Sequence, residues 1–161
     1  MQEITVIERL QAEVVELHVA LGLEGGTQAL ELVLTSLPAD APGIAITQHM
    51  PEKFTAMYAQ RLDGICAMNV REARDGDRLE RGVVLIAPGG RHMQLQKRSG
   101  HYFAVIMDGP PVNRHKPSVD VLFKSVAEIS SGEQTIAFAP ESTDIFARAT
   151  ALSKAAFAKP I

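Results

Sequence analysis

Five apolar residues in a row, Val83-Val84-Leu85-Ile86-Ala87, stop at Pro88-Gly89-Gly90. A strand that is apolar at every position, rather than at every second one, must be covered on both faces. That requirement constrains the fold more than any other stretch of the chain. Gly43-Ile44-Ala45-Ile46-Thr47 reads as a second short buried strand, and Val14 to Leu21 as the first. Helical patterns lie between them. Thr27 to Leu37 places Leu30, Leu32, Val33, Leu34 and Leu37 at spacings suited to a helix on a sheet. Pro51 is expected to start another helix, with Phe54, Met57, Tyr58 and Leu62 as its apolar face.

The rest of the chain continues the alternation. Ala67 to Ala73 reads as a strand, followed by the loop Asp75-Gly76-Asp77. Met93 to Gln96 and His101 to Met107 alternate in character around Ser99-Gly100, which predicts an antiparallel hairpin projecting from the sheet with one packed and one wet face. Residues 109–118, GPPVNRHKPS, form a loop on glycine and proline content. Ser118 caps a helix whose inner face is Val119, Leu122, Phe123 and Val126. Gln134 to Ala139 is a last strand; residues 3–13 and 143–157 have helical patterns. Interleaved strands and helices predict an α/β, doubly wound domain, with a mainly parallel sheet and one antiparallel hairpin.

Composition narrows the function classes. At 161 residues the chain suits one domain, expected to span 1–161. Net charge is −3, which leaves no broad footprint for nucleic acid. No apolar run approaches the ~20 residues of a membrane span, so membrane insertion is not expected. The N-terminal residues carry charges of both signs and do not read as a secretory signal, which makes the cytoplasm the expected location. The single Cys66 lies in an apolar run and reads as an inert thiol, with no zinc site around it. No metal or cofactor is implied.

Parallel sheets bind ligands at the carboxyl ends of their strands. Four polar segments should collect there: Gly25-Gly26-Thr27, Gln48-His49-Met50, Gly89-Gly90-Arg91-His92 and Asn113-Arg114-His115. His49, between a strand and a helix, is placed like a general base, although from the residues alone a histidine capping a strand end is the preferred reading. Arg91, Arg114 and Lys116 have the chemistry to hold an acidic partner. The corner Leu21-Gly22-Leu23-Glu24-Gly25-Gly26 joins a strand to a helix, the setting in which hydrolases expose a nucleophile, yet Leu23 and Glu24 precede the glycines.

Three strings, ITQHMPEKFTAMYAQRL, EARDGDRLERGVVLIAPGGRHMQL and DGPPVNRHKPSVDVLFKSVAE, resemble the catalytic domain of the chemotaxis protein-glutamate methylesterases, the CheB family, from about Val19 to Glu128. The tail TIAFAPESTDIFARATAL resembles the family's last strand and helix more weakly. The resemblance implies an α/β hydrolase that demethylates glutamates on chemoreceptor cytoplasmic helices. Its triad would be a serine in a G-A-S-x-G-G turn, the histidine of QHMP and an aspartate in a G-M-G-x-D-G loop. His49 matches the histidine, Leu23 falls where the serine belongs, and the aspartate loop has no counterpart. After Glu128 the chain runs through Ile129 to Glu133 straight into the last strand, so one strand–helix unit is missing. Asp144, in the last helix pattern, is a poor substitute, and no receiver domain is expected.

On this reading the chain is a non-catalytic binding or regulatory module of a chemosensory pathway. Its binding residues would be Gly25, Gly26, Thr27, Met50, Arg91, His92, Asn113, Arg114 and His115. Its partners would be chemoreceptor helices or another chemosensory protein, and a homodimer is expected to cover what the missing unit exposes. The alternative is a working ester hydrolase. Thr27 would then be a displaced nucleophile, or Glu24 would join His49 in activating water, neither with an evident oxyanion hole.

Overall fold

The structure, a computed structural model, describes residues 18–23, 27–129 and 135–138. The helical patterns at 3–13 and 143–157, the corner residues Glu24, Gly25 and Gly26, and Asp144 lie outside the described residues.

Five strands form a parallel sheet: β1 (His18–Leu23), β2 (Ile44–Gln48), β3 (Asn69–Glu72), β5 (Val83–Ile86) and β8 (Thr135–Phe138), in the order β3-β5-β2-β1-β8. A second, antiparallel sheet comprises β4 (Arg78–Leu79), β7 (His101–Met107) and β6 (His92–Arg98), in the order β4-β7-β6. Three helices are described: α1 (Thr27–Thr35), α2 (Phe54–Ile65) and α3 (Val119–Ile129).

The apolar run at 83–87 lies where its composition demands. β5 sits between β2 and β3, and its residues are buried throughout. Val84 and Ile86 join Ile44 and Ile46 of β2 in a core layer under α1 and α2, with Leu30, Val33, Leu34, Tyr58, Ala59 and Leu62. Leu85 and Ala45 point the other way, into a second layer under α3 and the antiparallel sheet, with Met93, Leu95, Tyr102, Leu122 and Phe123. Helices therefore cover one face and a helix plus a small sheet the other, the doubly wound arrangement expected.

β8 lies directly beside β1, with Val19 opposite Ile136 and Leu21 opposite Phe138. The last strand has closed up against the first, as the short Ile129 to Glu133 link allows. β1 also pairs with β2 on its other side, Leu23 falling opposite Gln48. The chain thus departs from β1 in both directions, and the carboxyl end of β1 is the topological switch point at which open α/β sheets bind ligands.

Several boundaries and faces differ from the expectation. α2 begins at Phe54, not Pro51; the Phe54 N–H instead closes a turn onto the Pro51 carbonyl at 2.9 Å. Phe54 and Met57, read as the apolar face of α2, are 52% and 64% exposed. The buried stripe is Thr55, Tyr58, Ala59 and Leu62, a single i, i+3, i+4, i+7 face that admits a threonine and leaves Phe54 and Met57 outside. Leu32 likewise points outward from α1. The hairpin turns at Ser99-Gly100, both with positive φ (51° and 79°), which matches the twist of its strands. It is not a bare ribbon, however. The two-residue β4 adds a third strand, and the Leu95 N–H donates to Ser125 Oγ of α3 at 3.0 Å, so Met93, Leu95, Tyr102 and Ala104 are packed while Gln96 and His101 face water. Nothing in the alternation of Arg78-Leu79 marks so short a strand.

Candidate functional site at the carboxyl edge

Parallel strands deliver their carboxyl ends to one edge, so the segments after β2 and β5 meet there. The loop after β5 is forced into contact with the chain after β2. A β-carbon on Gly89 would sit 2.6 Å from the Glu52 Cα, so only glycine admits the approach. The Gly89 N–H donates to Thr55 Oγ1 at 2.9 Å, and that hydroxyl donates to Glu72 Oε2 at 2.5 Å. One fully buried threonine therefore ties the β5 loop, the start of α2 and the end of β3 together. The sequence carried no signal for this role beyond a threonine in the first turn of a helix.

The loop from Asp108 to Ser118 is fastened from below by His92. Its ring is 4% exposed, with Nε2 at 2.9 Å from the Pro110 carbonyl and Nδ1 at 3.2 Å from the Ser118 N–H. A backbone N–H can only donate, so Nδ1 is the acceptor and Nε2 carries the proton donated to Pro110. Both ring nitrogens serve the loop. His92, expected among the ligand-binding residues, is instead a buried clamp, and its polar atoms face the protein's own backbone.

Above that clamp the loop makes a tight two-residue turn. Val112 and His115 exchange backbone hydrogen bonds of 3.0 and 3.1 Å, while Asn113 and Arg114 both take positive φ, 49° and 69°. The turn presents His115 to His49. The two imidazoles stack with centroids 3.8 Å apart and planes 8° from parallel. His49 is half-buried, and its Nε2 is out of contact with solvent. The stack brings together two expected site residues 66 positions apart in the chain, which no sequence spacing would pair.

The remaining expected residues divide. Arg91, Asn113, Arg114 and His115 are exposed on the rim. Met50 packs at the edge of the core layer under α1 and α2, which makes it a packing residue. Thr27 is the first residue of α1. Lys116, read as free to hold an acidic partner, is already paired with Asp108. That ion pair and the Gly109 N–H hold the Asp108 carboxyl below its ordinary range, with Arg91 adding to the effect. Asn113 donates to Asp120. Two buried polar atoms near the edge, Thr47 Oγ1 and Gln48 Oε1, have no hydrogen-bond partner among the described residues. Cys66 lies away from this edge at the end of α2; burial pushes its thiol up, with Glu31 and Asp63 adding, which agrees with an inert thiol. A cavity of about 490 Å³ lies elsewhere again, between α2 and β3, lined by residues such as Ala56, Ala59, Asp63, Arg71 and Glu72.

A sequence profile described as CheB methylesterase matches residues 20–139. The chain belongs to the CheB methylesterase family. Among similar proteins is one from Dechloromonas aromatica (strain RCB), named protein-glutamate methylesterase/protein-glutamine glutaminase 2. It is 66% identical over 113 residues, covering 70% of this chain and 32% of the relative. A protein of the same name from Pseudomonas syringae pv. tomato is 55% identical over 125 residues, covering 77% of this chain and 35% of the relative. The chain thus spans about a third of the length of the curated relatives it matches. The crystal structure of the Thermotoga maritima CheB methylesterase catalytic domain superposes with a TM-score of 0.80 at 30% identity, covering 89% of this chain and 79% of that one. The CheB-type chain keeps the family's α/β fold, and among its described residues no helix is long and apolar enough to cross a membrane.

Proposed function

We propose that this CheB-type chain is a non-catalytic member of its family that binds the family's protein target, chemoreceptor cytoplasmic helices, without hydrolysing it. The observation that carries the reading is the residue at the switch point. β1 ends in Leu23, in register with Gln48 and therefore beside the His49 segment. An ester hydrolase of this type needs a hydroxyl there, and leucine has no atom that can attack a carbonyl. His49 itself is covered on one face by His115, with its Nε2 out of solvent. That is an arrangement suited to a packed recognition surface more than to a base taking protons from a nucleophile. Members of a triad act together, and losing one typically costs several orders of magnitude in rate.

The test is a single-turnover assay on a receptor-derived peptide bearing glutamate γ-methyl esters, followed by mass. The expected result is intact ester with the native chain and also with Leu23→Ser. A hydroxyl restored there would still act without the aspartate loop that completes the family's triad, which has no counterpart in the sequence. Hydrolysis by the native chain that His49→Ala abolishes would overturn the reading in favour of a working esterase. Robust turnover by Leu23→Ser alone would show that another carboxylate orients His49.

A further inference from the structure

The rim around the His49–His115 stack carries two arginines that make no ion pair among the described residues, although Arg91 lies near enough to Asp108 to help lower its carboxyl. Lys116 is neutralised by Asp108, and Asp120 accepts from Asn113, so two of the rim acids are engaged. Glu52 lies on the α2 side, its carboxyl carbon 3.4 Å from where a Gly90 β-carbon would be. Arg91 and Arg114 are exposed, and neither makes an ion pair among the described residues. They come from two independent segments of the same sheet edge, the chain after β5 and the 112–115 turn. Arg91 follows the β5 turn, its N–H 3.3 Å from the Pro88 carbonyl. Arg114 sits at the tip of the 112–115 turn, next to the His115 that covers His49.

The position of Arg114 is also against local preference. Two-residue turns with both central residues at positive φ favour glycine at the second, and Arg114 holds that place at 69°. A guanidinium kept where glycine would fit better, pointing to open solvent beside the site, suits an external anion. A guanidinium fork pairs with both oxygens of a carboxylate, whereas a methyl ester has no charge and only weak acceptors to offer it.

We propose that Arg91 and Arg114 make this rim selective for ionised side-chain carboxylates of an acidic protein segment over their methyl esters, so that the chain reads the demethylated state of its target. The inference rests on the non-catalytic reading above, since an enzyme must release its carboxylate product. The occupant is an acidic peptide, argued from charge: Arg114 faces no acid within ion-pair distance among the described residues, and Arg91, which only influences Asp108 from beyond that distance, keeps its guanidinium exposed for a second carboxylate.

The experiment measures fluorescence anisotropy of three synthetic peptides of one sequence, bearing four glutamates, four glutamate γ-methyl esters or four glutamines. Each is mixed with the full chain at about 50 and about 200 mM salt, with mass spectra taken at the end point. Two exposed ion pairs predict that the carboxylate peptide binds about fivefold tighter than either neutral one at the lower salt, with the preference shrinking at the higher. Arg114→Gly is the informative variant, because glycine relieves the positive φ and keeps the turn; with Arg91→Gln it should abolish the preference while the fold stays intact by circular dichroism. Equal or tighter binding of the ester and glutamine peptides, no binding of any peptide, or a preference that survives both substitutions would overturn the inference. Cleavage of the ester peptide would instead overturn the non-catalytic reading, and the glutamate-to-glutamine comparison would still decide the selectivity.

Discussion

Replacing His92 with phenylalanine keeps a ring of similar size in the core and removes both nitrogens. The Ser118 residue is 3% exposed, so its N–H, now 3.2 Å from Nδ1, would be left buried with no acceptor. A stranded buried donor costs about 1–3 kcal/mol. The Pro110 carbonyl belongs to an exposed residue, where water can replace the 2.9 Å bond, so its share is at most about 1 kcal/mol. The expected loss is about 1–4 kcal/mol, a sizeable part of a domain stability of roughly 5–15 kcal/mol. Equilibrium urea unfolding of the native chain and His92→Phe measures it. His92→Asn, whose amide oxygen can stand in for Nδ1, should recover about half. His92→Phe should also free the Asp108 to Ser118 loop, seen as faster exchange of the Ser118 amide and altered ring proton shifts of His115 and His49. A loss below about 0.5 kcal/mol, with the Ser118 amide still protected, would refute the argument that His92 clamps this loop.

Thr55→Val removes the hydroxyl that joins Gly89 to Glu72, leaving a buried N–H and a half-buried carboxylate; about 2–4 kcal/mol should be lost in urea unfolding, with the largest shift changes at Gly89 and Gly90. Burial pushes the Tyr58 hydroxyl up to about 12 from 10.0, with Glu31 adding and Arg61 opposing. Because the unfolded chain gives up that proton first, the stability tied to Tyr58 is complete below about 10 and is lost as pH rises towards 12. Ultraviolet titration should show one tyrosinate forming well above the ordinary range, and thermal melts should fall over the same interval. On the outer edge of β3, Asp63 accepts from the Val70 N–H and Asp77 from the Arg74 N–H, both at 2.8 Å, which blocks two of the groups another strand would need. The double variant Asp63→Ala, Asp77→Ala should self-associate more strongly than the native chain in sedimentation velocity at micromolar concentration.

Much of this was legible in the chain because it rests on local rules. The continuous apolar run at 83–87 required a central strand, Ser99-Gly100 required a hairpin, and the order of runs required helices between parallel strands. The family was legible for a related reason: its signature strings are contiguous, and each falls in a loop at one sheet edge. That a leucine, Leu23, stands two residues ahead of Gly25-Gly26 is a fact of the sequence alone; that it ends β1, beyond the Leu21 limit expected for the first strand, is decided by the fold.

What the sequence left open depends on contacts between distant residues. Composition ranks His92 and His115 as similar loop histidines, but tertiary packing makes the first a buried clamp and the second an exposed cover over His49. Helical spacing offered Phe54 and Met57 as core, and only the docking of α2 decided that Thr55, Tyr58, Ala59 and Leu62 face inward. Lys116 looked as available as Arg114 until the fold placed Asp108 beside it. In each case the sequence sets what a side chain is able to do. Which of those things it does is decided by the few neighbours that folding brings within about 4 Å, since hydrogen bonds and packing act only at that range.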